Sequence, residues 1–414
     1  MKTAPHKTER LHALDSLRAI MMMLGIVLHS GVTYLGGEAS NGWPLRDPTA
    51  SSSFIYWLIA IIHNFRMPIF MVVAGFFAAL LFFDRSPKKM IINRCKRIVF
   101  PFIVFVLLLW PLVTLAFSYS NKVFSFDTVF ETVIGTMYIN TTPSTFSELI
   151  AFIPQTTMHL WFLYYLIVFS VASFILGLLF IKIPFVTART TAFYNAVLQK
   201  PILKFLVLSI LTFSLLLFMG KSWVETSTSF VLDFGTFLFY FYFYMFGWIL
   251  FKSKHLLNTF MRYDWAFTII GAFIYTVYFV NDTTLSIEIE TLINATCVSL
   301  FIFGFIGLFL RYFSNHSPRM RYISDSSYWV YLLHLPLTAF LPGLIGEWNL
   351  PAVVKFLIVV VITTIICFAT YHYFVRSTFI GKFLNGRKYS RNLSDIRKAE
   401  AISTLKPVAI KNHF

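Results

Sequence analysis

The chain is poor in charge and poorest in acid: of 414 residues 18 are Asp or Glu, and charged residues of both signs make up 13%. A soluble domain of this length needs a charged surface, and a chain that is 57% hydrophobic and 19% aromatic, with mean hydropathy +0.73, has too few groups to build one. Cysteine is scarce too. Cys95, Cys297 and Cys367 lie far apart, with neither metal-ligand spacing nor an evident disulfide partner, so neither a disulfide scaffold nor a cysteine zinc site is indicated. No repeat of roughly 20–50 residues recurs, which argues against a solenoid or propeller. No appended soluble domain is evident. The first apolar run is too long for the core of a signal peptide and lacks a clear small-x-small cleavage site, so it reads as a retained span.

What is present instead is a succession of apolar runs of membrane-spanning length. They read as ten spans: Leu14 to Tyr34, Phe54 to Phe83, Ile98 to Phe117, Trp161 to Ile181, Phe205 to Met219, Phe234 to Phe251, Trp265 to Val280, Leu292 to Leu310, Tyr328 to Leu344 and Ala352 to Phe374. The expected fold class is an all-α polytopic membrane protein. Lys and Arg alternate with the crossings. One set of connections holds Arg85, Lys88, Lys89, Arg94, Lys96 and Arg97, then Lys182, Arg189, Lys252, Arg311 and the tail from Arg376. The other set holds few basic residues (Arg46, Lys122, Lys221, Lys355) and most of the acids. By the positive-inside rule both termini are expected in the cytoplasm. The net charge of +16 is then a topology signal and no argument for nucleic-acid binding. The expected organisation is a cytoplasmic N-terminal segment (1–13), a transmembrane domain (14–374) and a basic, partly disordered cytoplasmic tail (375–414), in a bacterial inner membrane.

Within the apolar runs a few ionisable residues stand out, because charge inside a span is costly and usually marks a pathway or reaction centre. Arg18 and His29 are eleven residues apart, which on an α-helix places them on one face, roughly 16 Å apart along the axis. Asp15 precedes Arg18 by one turn. In the second run His63 and Arg66 are neighbours on one face, and Pro68 is expected to bend the helix beyond them. Arg66, near mid-membrane, needs an anionic partner or water, or else carbonyls freed by Pro68. Arg94 and Arg97 are one turn apart in a basic segment; they either grip phosphate oxygens bidentately or simply anchor the loop.

With those clusters in view the chain resembles the membrane-bound acyltransferase 3 family. Arg18 to His29 resembles its R-x10-H motif, and RMPIFMVVAGFF its second-helix segment, with Ala74 where Ser is usual. Arg94 and Arg97 before Pro101 look like its R-x-x-R element. HLWFLYYL from His159 and SYWVYLLHLPL from Ser327 look like two later signatures. The resemblance runs from about Leu14 to Phe374, and within the family it is to members that succinylate osmoregulated periplasmic glucans. It implies an O-acyltransferase that carries an acyl group from cytoplasmic acyl-CoA (succinyl-CoA or acetyl-CoA) to a periplasmic glucan, with no metal. The alternatives are O-acetylation of another surface polysaccharide, or a glycan or lipid-linked sugar transporter without chemistry.

Under that reading His29 is the catalytic base or transient acyl carrier, Arg18 positions the donor and Asp15 holds Arg18. Arg94, Arg97 and Arg66 are the donor-binding candidates. His63, His159, His334 and Trp43 are candidates for the acceptor side, with His159 and His334 open to the plainer reading of satisfied bundle histidines, and Trp43 to that of an interfacial belt residue. Asp325, beside Ser324, Ser326 and Ser327, reads as a helix cap. The outer loop from Ser118 to Met158 either touches glycan or is a connection. Membrane lipids and the carbohydrate acceptor are the expected partners; no protein partner is indicated.

Overall fold

The computed structural model describes residues 11–38, 42–124, 153–281 and 285–392. Every element among them is helical. The longer helices are α1 (His12–Val32), α2 (Ser53–Leu80), α3 (Pro87–Arg94), α4 (Phe100–Phe124), α5 (Trp161–Lys182), α6 (Pro184–Gln199), α7 (Pro201–Phe218), α8 (Phe234–Lys252), α9 (Asp264–Asn281), α10 (Ile287–Tyr312), α11 (Pro318–Leu344), α12 (Ala352–Thr370) and α13 (Phe379–Asn385). Wider π-type turns extend α2 through Arg85, join α3 to α4 and extend α12 through Val375.

Nine of these stretches, among the described residues, are long and apolar enough to cross a membrane. The protein is a multi-pass membrane protein. Nine is one fewer than the ten runs expected, and the difference lies in α11. The run from Tyr328 is the second half of a 27-residue helix whose first half carries Arg319, Arg321 and Asp325. α2 with its π-type extension, Ser53–Arg85, matches the expected run to within two residues and continues as helix through Pro68. The apolar composition settles which faces meet lipid. On α4, Phe100, Ile103, Leu107, Leu108, Leu112 and Leu115 are exposed at helical spacing, while Phe102, Phe105, Leu109, Trp110 and Val113 are buried on the other side.

The core is α1, α2, α8, α10 and α11. α2 and α8 pack backbone to backbone: a Cβ on Gly75 would strike the Tyr244 carbonyl oxygen, and one on Gly247 that of Val72. At one end, the loop after α1 is pinned by an ion pair with no solvent exposure to speak of. Lys355 Nζ of α12 donates to Asp47 Oδ2 (2.8 Å) and to the Gly346 carbonyl (3.0 Å). At the opposite end Arg311 of α10 clasps Asp264 at the start of α9 (Nε to Oδ2, 2.6 Å). Both pairs tie helix ends across connections, where a lone buried charge would cost on the order of several kcal/mol.

Candidate active site

α1 lines two cavities in turn. The first, ≈ 360 Å³, lies at the N-terminal end of α1 and takes Asp15 and Arg18 from α1, Ala74 and Phe77 from α2, and Asn93, Arg94 and Arg97 from the α3–α4 corner. Arg321, Ser324, Asp325 and Tyr328 of α11, with Asn385 and Tyr389 from the C-terminal segment, complete it. The second, ≈ 90 Å³, lies two to three turns further along α1. It is lined by His29, His63, Arg66, His159, Thr226 and Tyr331 among apolar neighbours. Met22, Phe70 and Phe162 line both cavities, and the Phe70 and Phe162 rings meet edge to face at 4.4 Å. The partition between them is therefore one layer of side chains.

In the arginine cavity the guanidinium of Arg18 lies 3.3 Å from Asp15 Oδ1 and over the Phe77 ring, as the one-turn spacing led one to expect. Arg94 reaches the Ala74 carbonyl (3.5 Å), and its Nε is buried without a partner. Arg97 does something else. Its Nη1 donates to the Phe383 and Lys382 carbonyls (3.1 and 3.4 Å) at the C-terminal end of α13, next to Gly386 in the left-handed conformation (φ 80°) that ends the helix. Asp325 is not a cap. Ser317 caps α11 by accepting from the Met320 N–H, and Asp325 lies two turns inside the helix. There it accepts from Arg321 Nε (2.8 Å) and from Tyr389 Oη (2.9 Å), while Arg321 Nη2 donates to Tyr389 Oη (2.8 Å). Arg321 Nη1 is buried without a partner.

The histidine chamber is built around Arg66. Its guanidinium comes within reach of α1 because residue 25 is glycine: a Cβ there would lie 3.0 Å from Arg66 Nη2 and 3.2 Å from His334 Nε2. Arg66 Nε donates to the Met21 carbonyl of α1 (3.0 Å), so it does not serve the carbonyl that Pro68 frees. The buried carboxylates of the described residues, Asp47, Asp264 and Asp325, are each paired elsewhere. Arg66 thus brings a buried positive charge, with donors to spare, into a cavity that has no carboxylate in its wall.

Local sequence places the histidines. Pro336 has no N–H to give the Leu332 carbonyl one turn back, and His159 takes that carbonyl instead (Nε2 to O, 3.2 Å). Tyr331 Oη donates to the His159 carbonyl (2.6 Å), and Met158, just before, holds a positive φ of 50°. Backbone in that region costs a non-glycine residue about 1–3 kcal/mol, and such strain gathers at functional sites. His159 Nδ1, His29 Nδ1 and His334 Nε2 are buried without partners, so these are not satisfied bundle histidines. The ring centroids of His29 and His334 are 5.2 Å apart, and those of His159 and His334 5.3 Å. His63 lines the same chamber and lies edge-on to Trp223.

The expected site residues fall into two groups. Asp15, Arg18, Arg94 and Arg97 share the first cavity; His29, His63, Arg66 and His159 share the second, so Arg66 stands apart from the arginines it was grouped with. Trp43 is buried, its indole stacked on His29 (5.4 Å, 22° between planes) and its Nε1 donating to Thr33 Oγ1. It supports the histidine and presents no open face to a sugar. The polar stretch of the outer loop, NTTPSTFSE, lies outside the described residues. Gly25, Arg321, Tyr331 and Tyr389 were not singled out from sequence. Gly25, inside the Arg18–His29 segment, and Tyr331, inside the segment from Ser327, had a local signal; Arg321 and Tyr389 had none. Among the described residues no group of three or more His, Cys, Asp or Glu is arranged to hold a metal ion.

Comparison with known proteins gives the same picture over nearly the whole chain. The profile of the family described as "Acyltransferase domain" matches residues 11–372. Glucans biosynthesis protein C of Escherichia coli (strain SMS-3-5 / SECEC) is 24% identical over 391 residues, covering 83% of this chain and 87% of that protein. The protein of the same name from Escherichia coli O157:H7 (strain EC4115 / EHEC) is 25% identical over 375 residues, covering 83% and 87%. That from Salmonella paratyphi B (strain ATCC BAA-1250 / SPB7) is 24% identical over 345 residues, covering 80% and 83%. No solved structure matches the chain.

Proposed function

Because the chain belongs to the acyltransferase 3 family of membrane acyltransferases, we propose that it moves a succinyl group from acyl-CoA on the cytoplasmic side to a hydroxyl of a periplasmic glucan on the other side. The observation that carries this reading is the pair of cavities along α1, with Arg18 facing one, His29 facing the other, and Met22, Phe70 and Phe162 between them. In this reading α11 is a tenth span, both termini are cytoplasmic, and the arginine cavity opens to the cytoplasm, since the basic connections gather at its end. The name shared by the relatives supports a glucan acceptor.

The arginine cavity takes the phosphates of the donor. Arg18, Arg94 and Arg321 supply charge and planar forks, while Arg97 holds α13 in place as part of the wall. The acyl end of the donor passes the phenylalanine partition into the histidine chamber. There His29 accepts the proton of the acceptor hydroxyl while that oxygen bonds to the thioester carbonyl carbon. The negative charge that forms on the carbonyl oxygen faces Arg66. Collapse breaks the carbon–sulfur bond, and the CoA thiolate leaves and takes the proton back from His29. The products are the glucan ester and free CoA thiol.

Succinyl is preferred to acetyl for a physical reason. A chamber that holds a buried guanidinium and no carboxylate favours an acyl group with its own negative charge. The test uses purified protein in proteoliposomes with radiolabelled donors and periplasmic glucan. Label from succinyl-CoA should become covalently attached to glucan faster than label from acetyl-CoA. Transport of unmodified glucan without label would overturn the enzymatic reading, and a preference for acetyl-CoA would overturn the choice of acyl group.

A further inference from the structure

His29 belongs to the chamber wall, but the residue behind it has no place in the reaction so far. His334 is 1% exposed and lines neither cavity. Its Nδ1 lies 2.7 Å from the Tyr331 carbonyl and 3.2 Å from that of Val330. Carbonyl oxygens only accept, so Nδ1 must carry the proton, and Nε2 is left as a bare lone pair. That lone pair points toward α1 over Gly25, as the 3.2 Å separation from an added Cβ shows, and it has no donor. One turn further along α1 is His29, whose own buried Nδ1 also lacks a partner. The ring centroids are 5.2 Å apart. An acceptor of fixed tautomer and an unsatisfied ring nitrogen thus belong to neighbouring rings, and both atoms are buried.

We propose that His334 is the positioning residue for His29: its Nε2 accepts a hydrogen bond from His29 Nδ1–H and thereby leaves His29 Nε2 as the bare nitrogen that meets the acceptor hydroxyl. The inference rests on the reading of His29 as the base. It gives the chamber the logic of a triad, in which an inner acceptor fixes the tautomer and aim of the outer histidine, here with an imidazole in the inner place. Hydrogen bonds of this kind are commonly long in a ligand-free site and tighten when the substrate fills it. Trp43 stacks on His29 and holds its plane, so the gap closes by movement of the His334 ring or by sliding of His29 along the indole face. On the far side of His334, His159 has its Nε2 committed to the Leu332 carbonyl, so its unpaired nitrogen, Nδ1, is also a lone pair. It has no proton to offer the lone pair of His334. Two neighbours have protons to give, Arg66 at Nη2 and His29 at Nδ1; in the proposed reaction Arg66 serves the carbonyl oxygen, which leaves His29 for His334.

Two substitutions separate this role from packing. In His334→Asn the side-chain amide can still donate to the Tyr331 carbonyl, but nothing remains at the place of Nε2. In His334→Gln the amide reaches that place and restores an acceptor there. With full-length protein in proteoliposomes, His334→Asn should lower kcat about 10- to 100-fold with KM for acyl-CoA unchanged, the range seen when a supporting partner is lost. His334→Gln should restore most of the rate. The second readout does not depend on activity: nitrogen-15 solid-state NMR of histidine-labelled protein, with His29 identified by its loss in His29→Gln. In the unsubstituted protein His29 should be protonated at Nδ1 and bare at Nε2, and His334→Asn should shift that pattern. A His29 protonated at Nε2, or His334→Asn with unchanged kcat, would overturn the proposal. If both variants merely unfold, the tautomer in the unsubstituted protein decides alone. Should His29→Gln itself transfer acyl groups at full rate, the base reading falls instead.

Discussion

Arg66 and Gly25 show how a single position can decide what a site is able to do. An arginine at mid-membrane is expensive, and this one is tolerated because a missing side chain on α1 lets its fork lie against the Met21 carbonyl and beside His334. Gly25→Ala adds one methyl at 3.0 Å from Arg66 Nη2 and 3.2 Å from His334 Nε2, so both must give way. The expected result is a fall in kcat on the order of 10- to 100-fold with normal membrane insertion, as for other small displacements of reacting groups. A kinetic comparison of the purified variant checks it. At this scale the sequence was legible wherever partners are local. Asp15, Arg18 and His29 follow from helical spacing alone. His334 and His159 come from elements distant in sequence, and nothing local says that each is left with an unpartnered, buried ring nitrogen.

The elements explain why two arginines one turn apart have different work. α3 ends at Arg94 and the wider turn Cys95–Val99 follows, so the two guanidiniums do not stack as a regular helix would stack them. Arg94 stays beside α2, and Arg97 binds the carbonyl end of α13. Arg94→Lys should therefore raise KM for acyl-CoA several-fold with little loss of stability. Arg97→Lys should chiefly lower the melting temperature in detergent, because the Nη1 that donates to both carbonyls at the end of α13 is lost. Equal effects of both on KM would contradict the division. The α13 contribution was hidden in sequence, since a short segment within a basic tail carries no periodic signal. The same holds for α11, where Asp325 looked like a cap because serines surround it; the helix in fact begins at Pro318, behind Ser317.

At the scale of the whole molecule, the apolar runs were enough to place the long apolar helices, though not α3, α6 or α13, because in lipid a span must be helical and of fixed length. The exception among the ten is α11, whose cavity-facing Arg321 and Asp325 dilute its apolar run; function here erodes the very signal that marks a span. Reporter fusions after Ser53, Ser222 and Gly346 should read as outside, and those after Lys182, Ser253 and Asn315 as inside. A fusion after Gly346 that reads as inside would mean that α11 does not cross.

The central claim is that one helix, α1, carries the donor end and the reacting end of a single transmembrane acyl transfer. The most direct measurement places protein of known orientation in sealed proteoliposomes, with labelled succinyl-CoA on the Arg18 side and glucan on the His29 side, and compares His29→Gln with the unsubstituted chain. Label should appear on the glucan across the membrane, and His29→Gln should lower that transfer by a factor on the order of 10² or more while donor binding survives. Transfer by His29→Gln at the unsubstituted rate, or labelling only when donor and glucan share a side, would contradict it.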